Sequence, residues 1–441
     1  MATKNDLIEA QSFSRRRLLT AFVSGAPGGK ELEPATPLRA VFTAIALAAA
    51  VILVGVFWGI ISPGLPKGWD NGRLVLVSDT GARYVTIDGK LHPVINTASA
   101  RLLIPSDDFA IITTDQQTLS GIALASPLGI VGAPDALPTP SGLVDDGWTA
   151  CVAGSGVDVR IGADAAATAS TGAAVVSSEG RLYVVAAGQR FEVTAKQSDA
   201  VLRAVGLGAV DPIPVSAPWL NLFTPGTTLA PLTISGAGSP LDGTDLTAGQ
   251  VVHIDGNAAD ELFVVREGRT LSPLTPLAWQ LYQLGSGLGA DAVLNVTAAQ
   301  VAGLPTGDPV GSADWPKDAF TPLADDTRPC ALLVRDGDGA RTTLAEQPTD
   351  AEASAGVRVE AGHGALVRAG GRGTQAASLL TLIDATGTAY ALPGATAETV
   401  KRLGYTTGDI GTADQAWIAL LRTGPALTEE AAGQTPSGGG G

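Results

Sequence analysis

Three histidines and two cysteines have the widest chemical repertoire in this 441-residue chain, and their spacing limits what they can do. His92, His253 and His363 are scattered. None stands at a metal-ligand spacing from a cysteine or carboxylate, so no metal or cofactor is expected. His253 falls in Val251-Val-His-Ile-Asp-Gly256 and His92 in Leu91-His-Pro-Val94, strand-and-turn contexts where an exposed or hydrogen-bonded imidazole is the ordinary outcome. Asp336-Gly-Asp-Gly339 resembles the opening of a calcium loop, but its fifth position would be Ala340 and no glutamate falls at the twelfth. A hairpin turn explains it better. Ser24-Gly25-Ala26-Pro27-Gly28-Gly29-Lys30-Glu31 resembles a phosphate-binding loop only superficially. The first glycine of G-x-x-x-x-G-K-[ST] would fall on Ser24 and the hydroxyl residue on Glu31, so it reads as a flexible linker. No G-x-S-x-G elbow occurs, and the carboxylates are spread like solvating charge. Catalysis is the less favoured reading, with no catalytic, cofactor-binding or metal residue to name.

What Cys151 and Cys330 do depends on their compartment, and the stretch Ala40 to Ile61 decides that. It has no charge and no proline, and as a helix it would be roughly 33 Å long, enough to cross a ~30 Å hydrocarbon core. Trp58 suits the headgroup boundary and Pro63-Gly64 stops the helix. A buried helix of that length would show a polar face, and a cleaved signal would be shorter and end on A-x-A. Before the run lie Lys4, Arg15, Arg16, Arg17, Lys30 and Arg39; shortly after it only Lys67 and Arg73. The positive-inside bias puts the N-terminus in the cytoplasm and residues 62–441 outside a plasma (inner) membrane crossed once. The default reading of two exported cysteines is one structural disulfide. A Cys151–Cys330 bridge would close a loop of about 180 residues, for which chain entropy gives on the order of 5 kcal/mol.

Net charge is −15. Six basic against four acidic side chains before the apolar run leave −17 for the rest. Such an ectodomain has no electrostatic reason to hold nucleic acid. Residues 3–22 read as an amphipathic helix, with Leu7, Ile8, Phe13, Leu18, Leu19 and Phe22 on an apolar side and Arg15, Arg16 and Arg17 on a basic one. It would either hug lipid phosphates or dock a cytoplasmic partner.

Four segments share one layout: a strand, a turn glycine, and an apolar or aromatic residue three positions later. They are Val75-Leu-Val-Ser-Asp-Thr-Gly81-Ala-Arg-Tyr84, Tyr183-Val-Val-Ala-Ala-Gly188-Gln-Arg-Phe191, Phe263-Val-Val-Arg-Glu-Gly268-Arg-Thr-Leu271 and Thr381-Leu-Ile-Asp-Ala-Thr-Gly387-Thr-Ala-Tyr390. Glycine supplies the positive φ of a tight hairpin. Short helices follow, closing on Val205-Gly206, Leu284-Gly285 and Leu403-Gly404, where glycine is the expected cap. In the second and fourth copies Trp219 and Trp417 fall 13 residues after that glycine, Gly226 and Gly424 seven later, and Leu229 and Leu427 three after that. These offsets predict an internal repeat.

The fold class expected is therefore α+β: one N-terminal transmembrane helix, then an elongated β-rich extracytoplasmic domain of four small repeats around a central disulfide-bridged core. The borders expected are an arm at 1–39, the span at 40–61, and repeats at 72–138, 181–235, 258–312 and 378–430. Core parts are expected at 141–178 and 318–376, and a disordered tail at 431–441. Copies one and four would flank one side of the core, and copies two and three the other.

The chain resembles the EccB family, the single-span membrane component of the actinobacterial type VII (ESX) secretion system. The residues carrying the resemblance are Trp69-Asp-Asn-Gly-Arg-Leu-Val-Leu-Val77, Thr80-Gly-Ala-Arg-Tyr84, Ile87-Asp-Gly-Lys-Leu-His-Pro-Val94 and Asn96-Thr-Ala-Ser-Ala-Arg-Leu-Leu103. Leu128-Gly-Ile-Val-Gly-Ala-Pro134, Leu137-Pro138 and the Trp148/Cys151 pair add to them. Phe13-Ser-Arg-Arg-Arg-Leu-Leu19 is a looser match, because the family's usual arm is longer. The resemblance implies a structural core subunit of a multi-subunit membrane complex. It implies an arm that meets a P-loop motor ATPase and a many-span subunit, and ectodomains that self-associate. Family members are often labelled ATPases, which the missing phosphate loop does not support. The repeats are also similar to those of a cell-wall-binding phage lysin subunit, which leaves a stand-alone peptidoglycan-binding protein as an alternative.

Overall fold

The structure is a computed structural model and describes residues 4–24, 38–61, 65–286, 293–337, 339–370 and 378–436. The glycine-rich linker expected after Ser24, the Pro63-Gly64 stop and most of the tail lie outside them. The chain divides into two units, Met1–Gly64 and Leu65–Gly441.

Among the described residues the first unit contains two helices, α1 (Lys4–Ser24) and α2 (Leu38–Ile61, 24 residues). Among the described residues no helix is long and apolar enough to cross a membrane. The side chains described along α2 nonetheless include exposed Val41, Phe42, Ile45, Leu47, Val51, Ile52, Leu53 and Val54. On α1 one expectation fails. At 100° per residue Leu7, Ile8, Leu18, Leu19 and Phe22 share an arc of about 120°, but Arg15 falls inside that arc and Phe13 outside it. Three consecutive arginines spread over about 200° and cannot form one basic side.

Among the described residues the second unit contains five sheets. In chain order the strands are β1 (Leu74–Val77), β2 (Arg83–Ile87) and β3 (Lys90–Pro93), then α3 (Thr97–Leu103) and β4 (Ile111–Thr114). Next come β5 (Thr149–Ala153), β6 (Gly156–Ile161) and β7 (Thr168–Ala169). A second outer sheet follows: β8 (Ala173–Ser178), β9 (Arg181–Ala186), β10 (Gln189–Val193), α4 (Ser198–Ala204), β11 (Ile213–Pro214), α5 (Ala217–Leu220) and β12 (Thr224–Leu229). The third has β13 (Val251–Ile254), β14 (Leu262–Val265), β15 (Leu271–Leu274), α6 (Pro276–Gln283), β16 (Leu294–Val296) and α7 (Ala298–Val301). The chain then gives β17 (Thr327–Asp336), β18 (Gly339–Pro348) and β19 (Gly356–Val359). The fourth outer sheet contains β20 (Ala365–Gly370), β21 (Leu379–Ile383), β22 (Thr388–Ala391), α8 (Ala397–Arg402), β23 (Gly411–Asp414), α9 (Gln415–Ile418), β24 (Arg422–Thr423) and finally α10 (Glu429–Ala432).

The four outer sheets obey one rule. Three antiparallel strands form a meander, and the first of them pairs in parallel with a strand that returns after the helix: β1 with β4, β8 with β11, β13 with β16, β20 with β23. On the far edge the third strand also gains a parallel neighbour, β12 beside β10 and β24 beside β22. In the first and third sheets single bridges, Leu91↔Leu124, Val94↔Leu128 and Leu271↔Thr306, occupy that position.

Strand membership moves several expected borders. β8 belongs to the second outer sheet and β20 to the fourth, whereas the sequence pattern places 173–178 and 365–370 in the core; the third sheet likewise starts at Val251, ahead of the expected 258. The hairpin around Gly81 joins the first and second strands of its sheet, whereas those around Gly188, Gly268 and Gly387 join the second and third. A strand–glycine–strand pattern cannot tell the two hairpins of a meander apart, and the turn that corresponds in the first sheet is Asp88-Gly89.

The six-stranded centre is discontinuous in sequence, ordered β19-β6-β5-β17-β18-β7. Asp336↔Gly339 closes the β17–β18 hairpin, so the calcium-like run is a turn, with Asp338 outside the described residues. The second and fourth outer sheets pack on this centre in one large cluster containing Trp148, Trp219 and Trp417. The first sheet packs on the fourth, through Ala98, Leu102 and Ile130 against Leu380, Leu392 and Leu427. There the Tyr405 hydroxyl donates to the Pro138 carbonyl at 2.8 Å and Arg402 Nη1 to the Leu102 carbonyl at 2.7 Å. The third packs on the second, through Leu277 and Leu281 against Val201, Val205 and Leu207, with Trp315 Nε1 donating to the Thr227 carbonyl at 3.1 Å.

Candidate functional site: a disulfide-stapled central sheet

Side chains alternate between the two faces of a strand, and the central sheet uses the faces differently. Ala150, Val152, Val159, Ile161, Ala331, Leu333 and Leu344 face the tryptophan cluster. Cys151, Cys330, Leu332 and Ala345 face the other way, beneath Ala167. Cys151 on β5 and Cys330 on β17 are direct register partners. They form a disulfide, with Cα atoms 4.0 Å apart and 179 residues between them in sequence.

Asp158 on β6 stands opposite Cys151 and is 1% exposed. Its Oδ2 accepts from Arg358 Nη2 at 2.6 Å and from Arg160 Nε at 3.1 Å. Two half-exposed guanidinium groups offset the cost of burying one carboxylate and tie β6 to β19. Nothing local marks this contact, because Asp158 and Arg358 are 200 residues apart and neither lies in a motif.

Each inner outer-sheet sets one tryptophan into the centre. Trp219 Nε1 donates to the Ala150 carbonyl at 2.8 Å, and Trp417 Nε1 to Thr342 Oγ1 at 2.9 Å. Trp148 meets Trp417 edge to face, with centroids 6.2 Å apart. Among the other landmarks Phe191, Leu271 and Tyr390 are buried, and Tyr84 is half-buried. Tyr390 donates to Asp384 Oδ2 at 3.1 Å, and burial together with that carboxylate pushes its phenol up to about 12. Gly81, Gly188, Gly206, Gly387 and Gly404 have positive φ as expected. Gly268 and Gly285 do not. Arg269 takes the left-handed position of the third hairpin, and Gly285 instead packs on the Leu232 backbone, which leaves no room for a Cβ.

The histidines stay apart. His92 Nδ1 lies 3.0 Å from the Ser126 carbonyl oxygen, His253 contacts Asn295 and the Ala258 carbonyl, and His363 lies 3.8 Å from Glu360 Oε2. Among the described residues no group of His, Cys, Asp and Glu could hold a metal ion. His363 borders a groove of about 530 Å³ beside β17, together with Asp145, Asp146, Leu332, Val334 and Ala163. Asp145 there pairs with Arg335 at 3.1 Å. Arg15, Arg16 and Arg17 are exposed on α1.

The family model described as "Type VII secretion system ESX-1, transport TM domain B" matches residues 1–436. The ESX-3 secretion system ATPase EccB3 of Mycolicibacterium smegmatis is 26% identical over 335 residues, 70% of this chain and 63% of that protein. The ESX-5 secretion system ATPase EccB5 of Mycobacterium tuberculosis is 26% identical over 313 residues, 62% of this chain and 58% of the other. The chain thus spans less than two thirds of the length of these curated relatives. A chain of an intact ESX-5 inner membrane complex matches with a TM-score of 0.69 at 21% identity, covering 99% of this chain and 96% of that one. A chain of an EccB3 dimer from the ESX-3 core complex matches with a TM-score of 0.67 at 23% identity, covering 82% and 99%. The fold is shared with both, and with the family model matched from the first residue almost to the last, the chain belongs to the EccB family of type VII secretion proteins.

Proposed function

We propose that this protein is a structural core subunit of a type VII (ESX) secretion membrane complex, linking a cytoplasmic motor side to an extracytoplasmic assembly. The observation that carries the reading is the family match over residues 1–436, joined to the absence of any expected catalytic constellation in the sequence. The relatives' folds come from an inner membrane complex and a core-complex dimer, which favours other ESX subunits and further copies of this chain as partners.

In this reading α2 crosses the membrane once. Its 24 residues would rise about 36 Å, and its exposed aliphatic side chains suit lipid. The flanking charges favour a cytoplasmic α1, where Arg15, Arg16 and Arg17 would meet lipid phosphates or a P-loop motor and a many-span subunit. The common strand order of the outer sheets supports reading them as four copies of one repeat around the central core.

The test is gentle detergent extraction, native sizing and mass spectrometry of whatever travels with the chain. Co-migration in a very large assembly with a P-loop motor and a many-span subunit is expected. Migration alone or as a small oligomer would overturn the reading, and binding to purified peptidoglycan would then be measured. The curated relatives are named ATPases. For this chain that activity is a second reading, tested by whether nucleotide turnover stays with the protein through further purification.

A further inference from the structure

The connection between β6 and β7 crosses the face of the central sheet that carries the disulfide. β6 and β7 stand four strand positions apart, about 19 Å at ~4.8 Å per spacing. Along the strands, Ala169 is level with Ala345, Cys330, Cys151 and Asp158, so the chain must also step back about four residues, or ~13 Å, between Ile161 and Thr168. Residues 162–167 form this strap, and midway along it Ala165 lies against Gly147, just ahead of β5, where an added Cβ would stand 3.7 Å from the Ala165 Cβ.

What holds the strap is slight. Ala163 N donates to Glu360 Oε2 at 2.9 Å and Gln347 Nε2 donates to the Ala166 carbonyl at 2.9 Å. Its far end is β7, two exposed residues paired with β18. Gly162, Ala163, Ala165, Ala166 and Ala167 offer little side chain to pack, and Ala167 alone joins the cluster around the two cysteines. On this same face Thr149 Oγ1, Asp158 Oδ1, Arg328 Nε and Gln347 Oε1 are buried without a protein partner.

We infer that the strap shields the Cys151–Cys330 disulfide and that it opens by peeling β7 from β18 while the rest of the central sheet stays folded, which makes the disulfide addressable by a dithiol reductant. One thiolate of the reductant attacks a cysteine sulfur, forming a mixed disulfide and releasing the other cysteine as a thiolate that takes up a proton. The reductant's second thiolate displaces the remaining cysteine. The protein ends with two thiols and the reductant with one new disulfide. Reduction cuts the covalent tie between chain segments 179 residues apart and leaves the hydrogen-bonded pairing of β5 with β17 to hold them.

The experiment follows thiol appearance in the full chain, in detergent, under excess dithiothreitol and from 0 to 2 M urea. Local opening predicts a rate independent of low urea that rises three- to ten-fold in Gln347→Ala and in Glu360→Ala. Glu360 is largely exposed, so its variant tests the tether without touching the core. Amide exchange at Ala169 and Ser170 should be faster than at Cys151 and Cys330 and should rise with both variants. A rate that climbs with urea in step with global unfolding, unmoved by either variant, would overturn the inference. So would wild-type reduction as fast as that of an unstructured disulfide peptide, because the strap would then shield nothing.

Discussion

The ring of Phe191 lies against Gly226, so closely that a Cβ on the glycine would stand 2.5 Å from the ring's Cε1. Tyr390 and Gly424 repeat the arrangement in the fourth outer sheet. Each pair joins the third strand of a meander to its parallel neighbour. The sequence offset between Trp219 and Gly226, matched by Trp417 and Gly424, is therefore a packing distance: one residue enters the central sheet and the next makes room for an aromatic ring.

Gly226→Ala is expected to destabilise the protein by about 1–3 kcal/mol through overpacking. Phe191→Ala alone should cost about 3–5 kcal/mol. The double variant should be less destabilised than the sum, because the ring that the new methyl strikes is gone. Urea unfolding of the four proteins measures the coupling, and strict additivity would contradict the contact.

Replacing both Cys151 and Cys330 by serine should lower stability by on the order of 5 kcal/mol if chain entropy dominates. The midpoint of urea unfolding, without reductant, reads this directly. An unchanged midpoint would mean that the central sheet does not depend on its staple.

Trp417→Phe keeps most of the buried ring but leaves Thr342 Oγ1 without its donor, and Trp219→Phe does the same to the Ala150 carbonyl. Each should cost about 1–3 kcal/mol. The losses should appear as faster amide exchange in the central strands β5 and β18, not in the first or third outer sheet.

The joint between the first and fourth outer sheets should loosen in acid. The Lys401 ammonium holds Asp107 below the ordinary carboxylate range, and the Ser106 amide donating to Glu398 does the same there. Within the first sheet the Arg83 guanidinium depresses Asp135. A depressed carboxylate contributes stability that is present above its unfolded pKa and lost as pH falls through its folded value. The joint should hold down to about pH 4 and weaken below it. Amide exchange at α3 and α8 across pH 3–6 checks the window; faster exchange on raising the pH above 5, after correction for intrinsic rates, would contradict the sign.

Much of this was legible in the sequence because it rests on local chemistry. Turn glycines at Gly188 and Gly387 need positive φ, helix ends at Gly206 and Gly404 need the left-handed cap, and a pair of cysteines has one bridge to form. What escaped was set by partners distant along the chain. The first strand of each meander carries no mark distinguishing it from the second, so the sequence pattern aligns Gly81 with the wrong hairpin. Gly285 looked like a cap but is glycine because Leu232 packs against it. Asp158 could not be singled out, since Arg358, the closer of its two arginines, becomes its neighbour only after β6 and β19 pair.

The discontinuity of the central sheet bears on the order in which it can form. A chain delivered N-terminus first presents β5 and β6 long before β17, and the second and third outer sheets lie between them. At roughly 5–20 residues per second, Cys151 waits about 10–35 s for Cys330. During that interval the two intervening sheets can close on each other through Leu277, Leu281 and Val201, shortening the gap that β17 must bridge. Within these 441 residues Cys151 meets no competing cysteine during that delay.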